Sequence, residues 1–433
     1  MNPDRINIKE IARQPDYVGS VQRLYFLKEK PGAMVCETTS GGSVFDVGTI
    51  FSIDSSDKCR AAFRHKIFSL ITSPDAWKNV RDVLEKKLNK KYFEYLSDVL
   101  NDFVEHGAKT HHLGMIDAES GKIFKKTFPK QISNYILVKR YQVHKPARLE
   151  HASNNLWDYH AQHVSSNFVI PLENIVRFGV TPGSSIFTKF KSLNADDQKK
   201  YLKELGLKKE MKAWQIFDNP IIDFTTKYEP EDRSLSLQEA LYISGIDGET
   251  FLRLAKQIIL GSFLVKEFFE KLSLFLWDIK WELATDGKDL VFVDTIDTDS
   301  IRVSSKIRYK GSFYQVHFNK QSMRDYYKII HPDWYAAINE SKALAKTANK
   351  SFHRHLSEGQ RKGKYPQTPE VEKDFLEIQK EKFEVLLSYI LEKKSADIAK
   401  KELNKIGKEE ILFYEKKKVF QQYCSLQKIS HEK

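Results

Sequence analysis

Four charged residues carry the chemistry that spacing alone makes legible. In Trp277-Asp278-Ile279-Lys280-Trp281-Glu282-Leu283, apolar and charged residues alternate strictly. A strand with this pattern sends Trp277, Ile279, Trp281 and Leu283 to one face and Asp278, Lys280 and Glu282 to the other. A charged row of this kind can also be a plain solvated face. The next run, Leu290-Val291-Phe292-Val293, is apolar throughout, as a strand buried on both faces should be, and it ends in Asp294. Asp297, Asp299 and Arg302 follow. Carboxylates converging on a buried face need a cation, and oxygen ligands suit Mg2+. Mg2+ in turn suggests a nucleotide.

Whether these acids meet depends on register. A two-residue Asp286-Gly287 turn would send Asp294 to the apolar face with Ile279. A three-residue Thr285-Asp286-Gly287 loop, with Gly287 left-handed in a bulge, would place Asp294 with Asp278, Lys280 and Glu282. Any odd-length loop predicts the second outcome.

The elements that position these residues belong to a chain of 433 residues, enough for two or three cores. Hydrophobic residues make up 41% and charged residues 30%, which excludes fibrous and disordered classes. Cys36, Cys59 and Cys424 are far apart, so no disulfide framework or zinc ribbon is readable, and a reducing cytoplasm is expected. The most apolar stretch, Ile258 to Trp277, is broken by Lys266, Glu267, Glu270 and Lys271, which argues against a membrane span. The net charge is +12, but residues 341–433 hold 21 Lys+Arg against 14 Asp+Glu, so more than half of the excess lies there. Its basic runs alternate with Glu, as on a solvated helix, which disfavours nucleic acid and suits steering of anionic substrates.

Strand-like runs cover Val21–Leu27, Met34–Thr39 and Asn134–Val143, with a small-residue loop at 39–43. Helical periodicity covers 60–106, 195–212, 235–244, 248–277 and 367–433. Residues 145–167 read as an inserted loop, 218–232 as a loop, and 338–365 as a flexible connector. The class is α+β, divided into a strand-rich N-terminal lobe (1–137), an α+β lobe (138–337) and a helical C-terminal region (338–433).

Taken together, these residues resemble the SAICAR synthetase family (phosphoribosylaminoimidazole-succinocarboxamide synthases). Asp278, Lys280, Glu282 and Asp294, then Thr298-Asp299-Ser300-Ile301-Arg302, look like its Asp-x-Lys-x-Glu strand, later Asp, and Asp-x-Ser-Arg-like motif. Gly19-Ser20-Val21-Gln22-Arg23-Leu24-Tyr25 is similar to its first-strand motif, and Ser43-Val44-Phe45-Asp46 to its Ser-Ala-Phe-Asp. Leu137-Val138-Lys139-Arg140 resembles the hinge strand. Val169 to Arg177, Gly183-Ser184 and Phe318 to Asp325 keep the family order. The resemblance spans roughly residues 18–330, with a weaker echo at 366–392.

The resemblance implies a two-lobed fold with an ATP-grasp or kinase-like nucleotide cleft and a helical extension. It implies an ATP-dependent ligase that joins a phosphoribosyl-aminoimidazole carboxylate to aspartate through an acyl phosphate, in purine biosynthesis. By the same resemblance, Glu282 and Asp294 hold Mg2+, and Lys280 and Asp278 are catalytic. Ser43, Asp46, Glu173, Arg177, Ser184, Ser300 and Arg302 bind substrate. ATP falls to Gly19, Ser20, Gln22 and Lys139. Ser20 and Gln22 stand where the family carries basic residues, so Lys58 and Arg60 are the candidate replacement cations, ahead of Arg23 and Lys28. Each has a plainer role available: Arg177 a surface ion pair, Ser184 a helix cap. The His160/His163 and His353/His355 pairs lack further ligands and read as solvated. The partners implied are small molecules, with no membrane. Whether the chain forms a homo-oligomer, and whether a descendant that binds without catalysis fits better, stay open.

Overall fold

The β-rich runs of the first 140 residues pair as one antiparallel sheet of six strands. Their order is Tyr17–Val18, Gln22–Phe26, Ala33–Thr38, Tyr135–Lys139, His112–Ile116 and Ile123–Phe124. The computed structural model describes residues 4–151, 154–230, 232–348 and 351–429. Against this sheet lies the helix Ser56–Ile71, whose interior residues Cys59 to His65, Ile67 and Phe68 are all buried. A helix covered on nearly every side is a core element. Two amphipathic helices follow, Pro74–Lys87 and Lys90–His106. Ser73 and Asn89 cap their N-termini by accepting the N–H groups of Ala76 and Tyr92.

A second sheet of eight strands holds the chemistry. Its main order is Ser234–Leu235, Gln215–Thr226, Leu172–Val180, Phe275–Thr285, Ile301–Tyr309 and Ser312–His317. Phe168–Val169 and Leu290–Val293 pair with the far end of the central strand Phe275–Thr285. The long helix Gly248–Glu270 packs beneath that strand, with Trp281 Nε1 donating to Ser262 Oγ at 2.8 Å. The two sheets are stitched together by residues 109–111: Phe292 N donates to Lys109 O and His111 N to Phe292 O, both at 2.9 Å. The helices Lys373–Ile390 and Ala396–Lys416 close the structure, the first packed on Ser56–Ile71. All three cysteines are free. Among the described residues, no helix is long and apolar enough to cross a membrane.

Several expectations need correction. Residues 218–226 are no loop, and the irregular stretch begins at Lys227: Gln215–Thr226 is a twelve-residue strand. Pro220 hid it, but the pairing jumps from Arg177↔Ile221 to Gly179↔Ile216, so the missing N–H falls in a bulge. Residues 145–167 hold a two-stranded ribbon, Ala147–His151 with Asn154–Asp158, and a short helix His160–His163; residues 152 and 153 lie outside the described residues. The 338–365 connector is helical, Pro332–Ala348 and Phe352–Arg361, with 349 and 350 outside the described residues. Ile338 and Ser341 continue the buried stripe that Trp334 and Ala337 begin in the same helix, a spacing that the small and polar composition after residue 338 masked. The 195–212 helix stops at Glu204, before Gly206 at φ +69°. Gly41–Ser43 pairs with Thr49–Ser52 instead of forming an open loop, and a side chain at Gly42 would collide with the Phe51 ring. The long helix ends at Glu270, and the strand starts at Phe275.

Buried histidines give the fold a pH dependence. Burial lowers His65 to about 4 and His317 to about 3, from an ordinary 6.5. Both are neutral in the folded chain, whereas the unfolded chain takes up protons below pH 6.5. Stability is therefore complete above that pH and falls as the pH drops towards 4. Each should cost about 2 kcal/mol between pH 8 and pH 5. Urea unfolding at the two pH values checks this; equal free energies would mean that both rings are charged in the native state.

Candidate active site

Register across three neighbouring strands assembles the first half of the site. Arg177 of Leu172–Val180 pairs with Asp278 of the central strand, and Asp278 pairs with Arg302 of Ile301–Tyr309. A bulge between Leu276 and Asp278 brings the last pair into line. Asp278 Oδ2 lies 3.2 Å from Arg302 Nη1 and 3.6 Å from Arg177 Nη1. It is aligned for a hydrogen bond with neither. Arg177 also donates to Asp223 Oδ2 at 2.8 Å, Ser185 Oγ at 3.0 Å and Ser184 Oγ at 3.3 Å, and its Nε has no partner. Ser184 N-caps the helix Ser185–Ser192 without a side-chain cap bond, so its hydroxyl serves Arg177 instead. Arg302 Nη1 donates to Thr181 Oγ1 at 3.0 Å. Burial lowers the pKa of Arg302 and Asp278 opposes this, while the charges of Arg177 and Arg324 lower it further. Buried guanidinium groups beside a helix N-terminus form a surface matched to an anion such as phosphate.

The second half lies two strand steps along the same face. Lys280 pairs with Glu173, which also accepts from Thr225 Oγ1 at 3.2 Å. Glu282 pairs with Lys227 and faces Asp294. Burial and the charge of Asp294 push Glu282 well up. Asp294 is held down: burial opposes this, but a hydrogen bond from Glu282 and the charges of Lys227, Arg64 and His111 prevail. The two carboxylates thus titrate apart, with Lys227 as the cation paired to Glu282. Burial lowers Lys227, and Glu282 and Asp294 more than reverse it.

The hairpin does not have the odd-length loop expected of it. The loop has four residues, 286–289, and Glu282 pairs with Val293. That register would turn Asp294 towards Trp281. Asp294 instead leaves the strand at φ +62°, a left-handed conformation that Asp tolerates, and so comes back to Glu282. His111 Nε2 meets the Asp294 carbonyl oxygen at 3.1 Å, anchoring that conformation from the first sheet. Gly287 is left-handed as expected, at φ +87°.

A buried pair of carboxylates whose charges oppose one another is a donor set a hard divalent cation fits, since the ion's charge would relieve their repulsion. Among the described residues no three His, Cys, Asp or Glu side chains cluster as metal ligands. An ion here would have two protein carboxylates and take its other ligands from water and phosphate, the habit of Mg2+.

The other residues expected to bind ATP or substrate are held in varied ways. Gly19 and Gln22 close a tight turn, Gly19 N donating to Gln22 O at 2.8 Å, and Thr49 Oγ1 donates to Ser20 O at 2.6 Å. Lys139 is exposed over the Tyr141 ring. Lys58 is exposed, whereas Arg60 is buried against Asp297 at 2.9 Å and Asp299 at 3.3 Å. Arg60 is thereby committed to binding one lobe to the loop after Asp294. Ser300 Oγ is occupied in a turn with Asp297, Ser43 is buried, and Asp46 pairs with Lys342 at 2.6 Å. Asp223, Lys227, Arg64 and His111 join the site without having been expected from the sequence. Asp223, Thr225 and Lys227 alternate along a stretch whose prolines suggest a loop, and that spacing is the available signal.

The SAICAR synthetase family model matches residues 16–340. A provisionally named phosphoribosylaminoimidazole-succinocarboxamide synthase of Archaeoglobus fulgidus is 29% identical over 239 residues, 55% of this chain and 65% of that protein. The synthase of the same name from Thermoplasma acidophilum is 27% identical over 227 residues, 52% of this chain and 64% of its own. The chain spans just under two thirds of the length of these relatives. Among solved structures, SAICAR synthase from Saccharomyces cerevisiae in complex with SAICAR superposes with a TM-score of 0.49 at 17% identity, covering 87% of this chain and 94% of that one.

Proposed function

The chain belongs to the SAICAR synthetase family, and from that premise we propose that it is an ATP-dependent amide ligase of purine biosynthesis. In this reading the carboxylate of a phosphoribosyl-aminoimidazole carboxylate is joined to the amine of aspartate. One observation supports it above the others: a single strand face presents an arginine pair at residue 278 and a carboxylate pair at residue 282. Four residues of strand separate the two by roughly 13 Å. A substrate with a phosphate at one end and a carboxylate at the other spans that gap, leaving its reactive end beside Glu282, Asp294 and Lys280.

The chemistry needs both ends. A carboxylate is a poor electrophile because oxide is its leaving group. Transfer of the terminal phosphoryl group of ATP onto the carboxylate oxygen gives an acyl phosphate and ADP. The amine then attacks the carbonyl carbon, and inorganic phosphate leaves with that oxygen. Arg177, Arg302 and Ser184 hold the ribose phosphate, and Arg supplies a forked pair of donors. Glu282 and Asp294 would hold Mg2+, which offsets repulsion between the gathered anions. Lys280, once released from Glu173, neutralises charge on the transferring group.

The test is ADP release by the full chain with the imidazole carboxylate substrate, Mg2+ and a panel of amino acids. Release that depends on both the imidazole carboxylate and aspartate is expected. Release with another amine alone would reassign the acceptor. Nucleotide binding with no release under any amine would leave a binding-only descendant.

A further inference from the structure

The helix Ser56–Ile71 carries an arginine that no acidic side chain satisfies. Arg64 is 1% exposed, and among the described residues no carboxylate lies within ion-pair distance of it. Its Nε and Nη1 have no hydrogen-bond partner at all. Nη2 makes one long bond, 3.4 Å, to Gln22 Oε1. Gln22 is half-buried on the second strand and pairs with Thr38, whose buried Oγ1 is also unpartnered. A buried guanidinium with no carboxylate in contact is costly, and its orphaned donors add to the cost. Both are relieved when an anion arrives.

The position of Arg64 says which anion. Its side chain reaches Gln22 of the first sheet, and the helix that bears it packs on Ala33–Thr38 and His112–Ile116, next to His111, which meets the Asp294 carbonyl. It therefore sits between the first sheet and the carboxylate end of the site, not the arginine end. Arg60, one turn earlier on the same helix, is already neutralised by two aspartates and has no charge to spare. Gln22 is neutral and only accepts from Arg64.

Resting on the nucleotide reading above, we propose that Arg64 is the cation that receives the polyphosphate of the nucleotide, reaching through the position that Gln22 now fills. Its two free nitrogens then donate to phosphate oxygens, and the Gln22 amide swings aside. This makes Arg64 a positive group supplied from the helix where the strand, at Ser20 and Gln22, has none.

Calorimetry on the full chain with Mg-ATP and with adenosine tests this. Arg64→Gln should weaken Mg-ATP at least ten-fold and leave adenosine within two-fold. Adding Gln22→Lys to Arg64→Gln should restore most of the loss, since charge would return from the strand. Should Arg64→Gln melt too low to titrate, Arg64→Lys is used: a several-fold loss confined to Mg-ATP supports the proposal, and unchanged Mg-ATP affinity overturns it. Equal losses for Mg-ATP and adenosine, or none for Arg64→Gln, overturn the role of Arg64 while leaving the nucleotide reading intact. A wild-type chain that binds neither ligand overturns both.

Discussion

Replacing Arg177 with alanine is expected to cost the fold about 3–5 kcal/mol, the range for breaking a buried ion pair by removing one partner. Arg177 is 2% exposed and is the shared partner of Asp223, Asp278, Ser184 and Ser185. Its loss strands the Asp223 carboxylate and leaves Asp278 only Arg302. Arg302→Ala should be milder, because Asp278 keeps Arg177 and the other group released is the neutral Thr181 hydroxyl. On ligands the two should converge: each should weaken a phosphoribosyl ligand by roughly 1.5–3 kcal/mol, as a lost charged hydrogen bond does, and leave the dephosphorylated nucleoside unaffected. Urea unfolding gives the first quantity. Calorimetry with the paired ligands, at a temperature where Arg177→Ala is folded, gives the second. Equal losses for both ligands would mean that the arginines only hold the strands together.

At the other end of the face, Asp294→Asn and Glu282→Gln should each abolish the Mg2+ dependence of nucleotide binding, a loss of at least about 100-fold or ~2.7 kcal/mol. The variants should differ in stability. Glutamine at 282 removes the charge that pairs with Lys227 and leaves that lysine only the weaker attraction of Asp294. Asparagine at 294 keeps a side chain that tolerates a positive φ, so the backbone and the His111 contact survive. Nucleotide affinity measured with Mg2+ and again with chelator decides the matter. Identical Mg2+ dependence in wild type and both variants would remove these residues from the metal site.

The strict alternation at 277–283 makes the central strand and its charged face readable, because a period of two has only one structural meaning. The run of apolar residues at 290–293 is equally clear. The meeting of Glu282 with Asp294 comes about by a different route from the expected one: the loop is even, and a left-handed residue after it restores the side chain to the charged face. No periodicity reports a single backbone angle. Lys227 and Asp223 are hidden in the sequence because Pro220 outweighs the alternation around it, and a bulge is invisible without the partner strand. Arg64 is equally hard to single out, because only its burial without a counter-charge distinguishes it from the neighbouring basic residues Arg60 and Lys66.

The family model ends at residue 340, but the polar interior does not. Lys382, 5% exposed, donates to the His317 carbonyl at 2.8 Å and to Ser322 Oγ at 3.1 Å, and pairs with Glu410. Gln427 donates to the buried Asp325 at 2.6 Å. Phe375 stacks on Tyr326 with ring centres 4.5 Å apart. The segment 317–325 therefore has hydrogen-bonding needs that residues beyond 340 meet. The two segments are therefore interdependent, since a change to the polar groups of either leaves buried partners of the other unsatisfied. A domain boundary drawn at residue 340 would cut through this buried network, so a fragment ending there would expose Asp325, His317 and Ser322 without their partners.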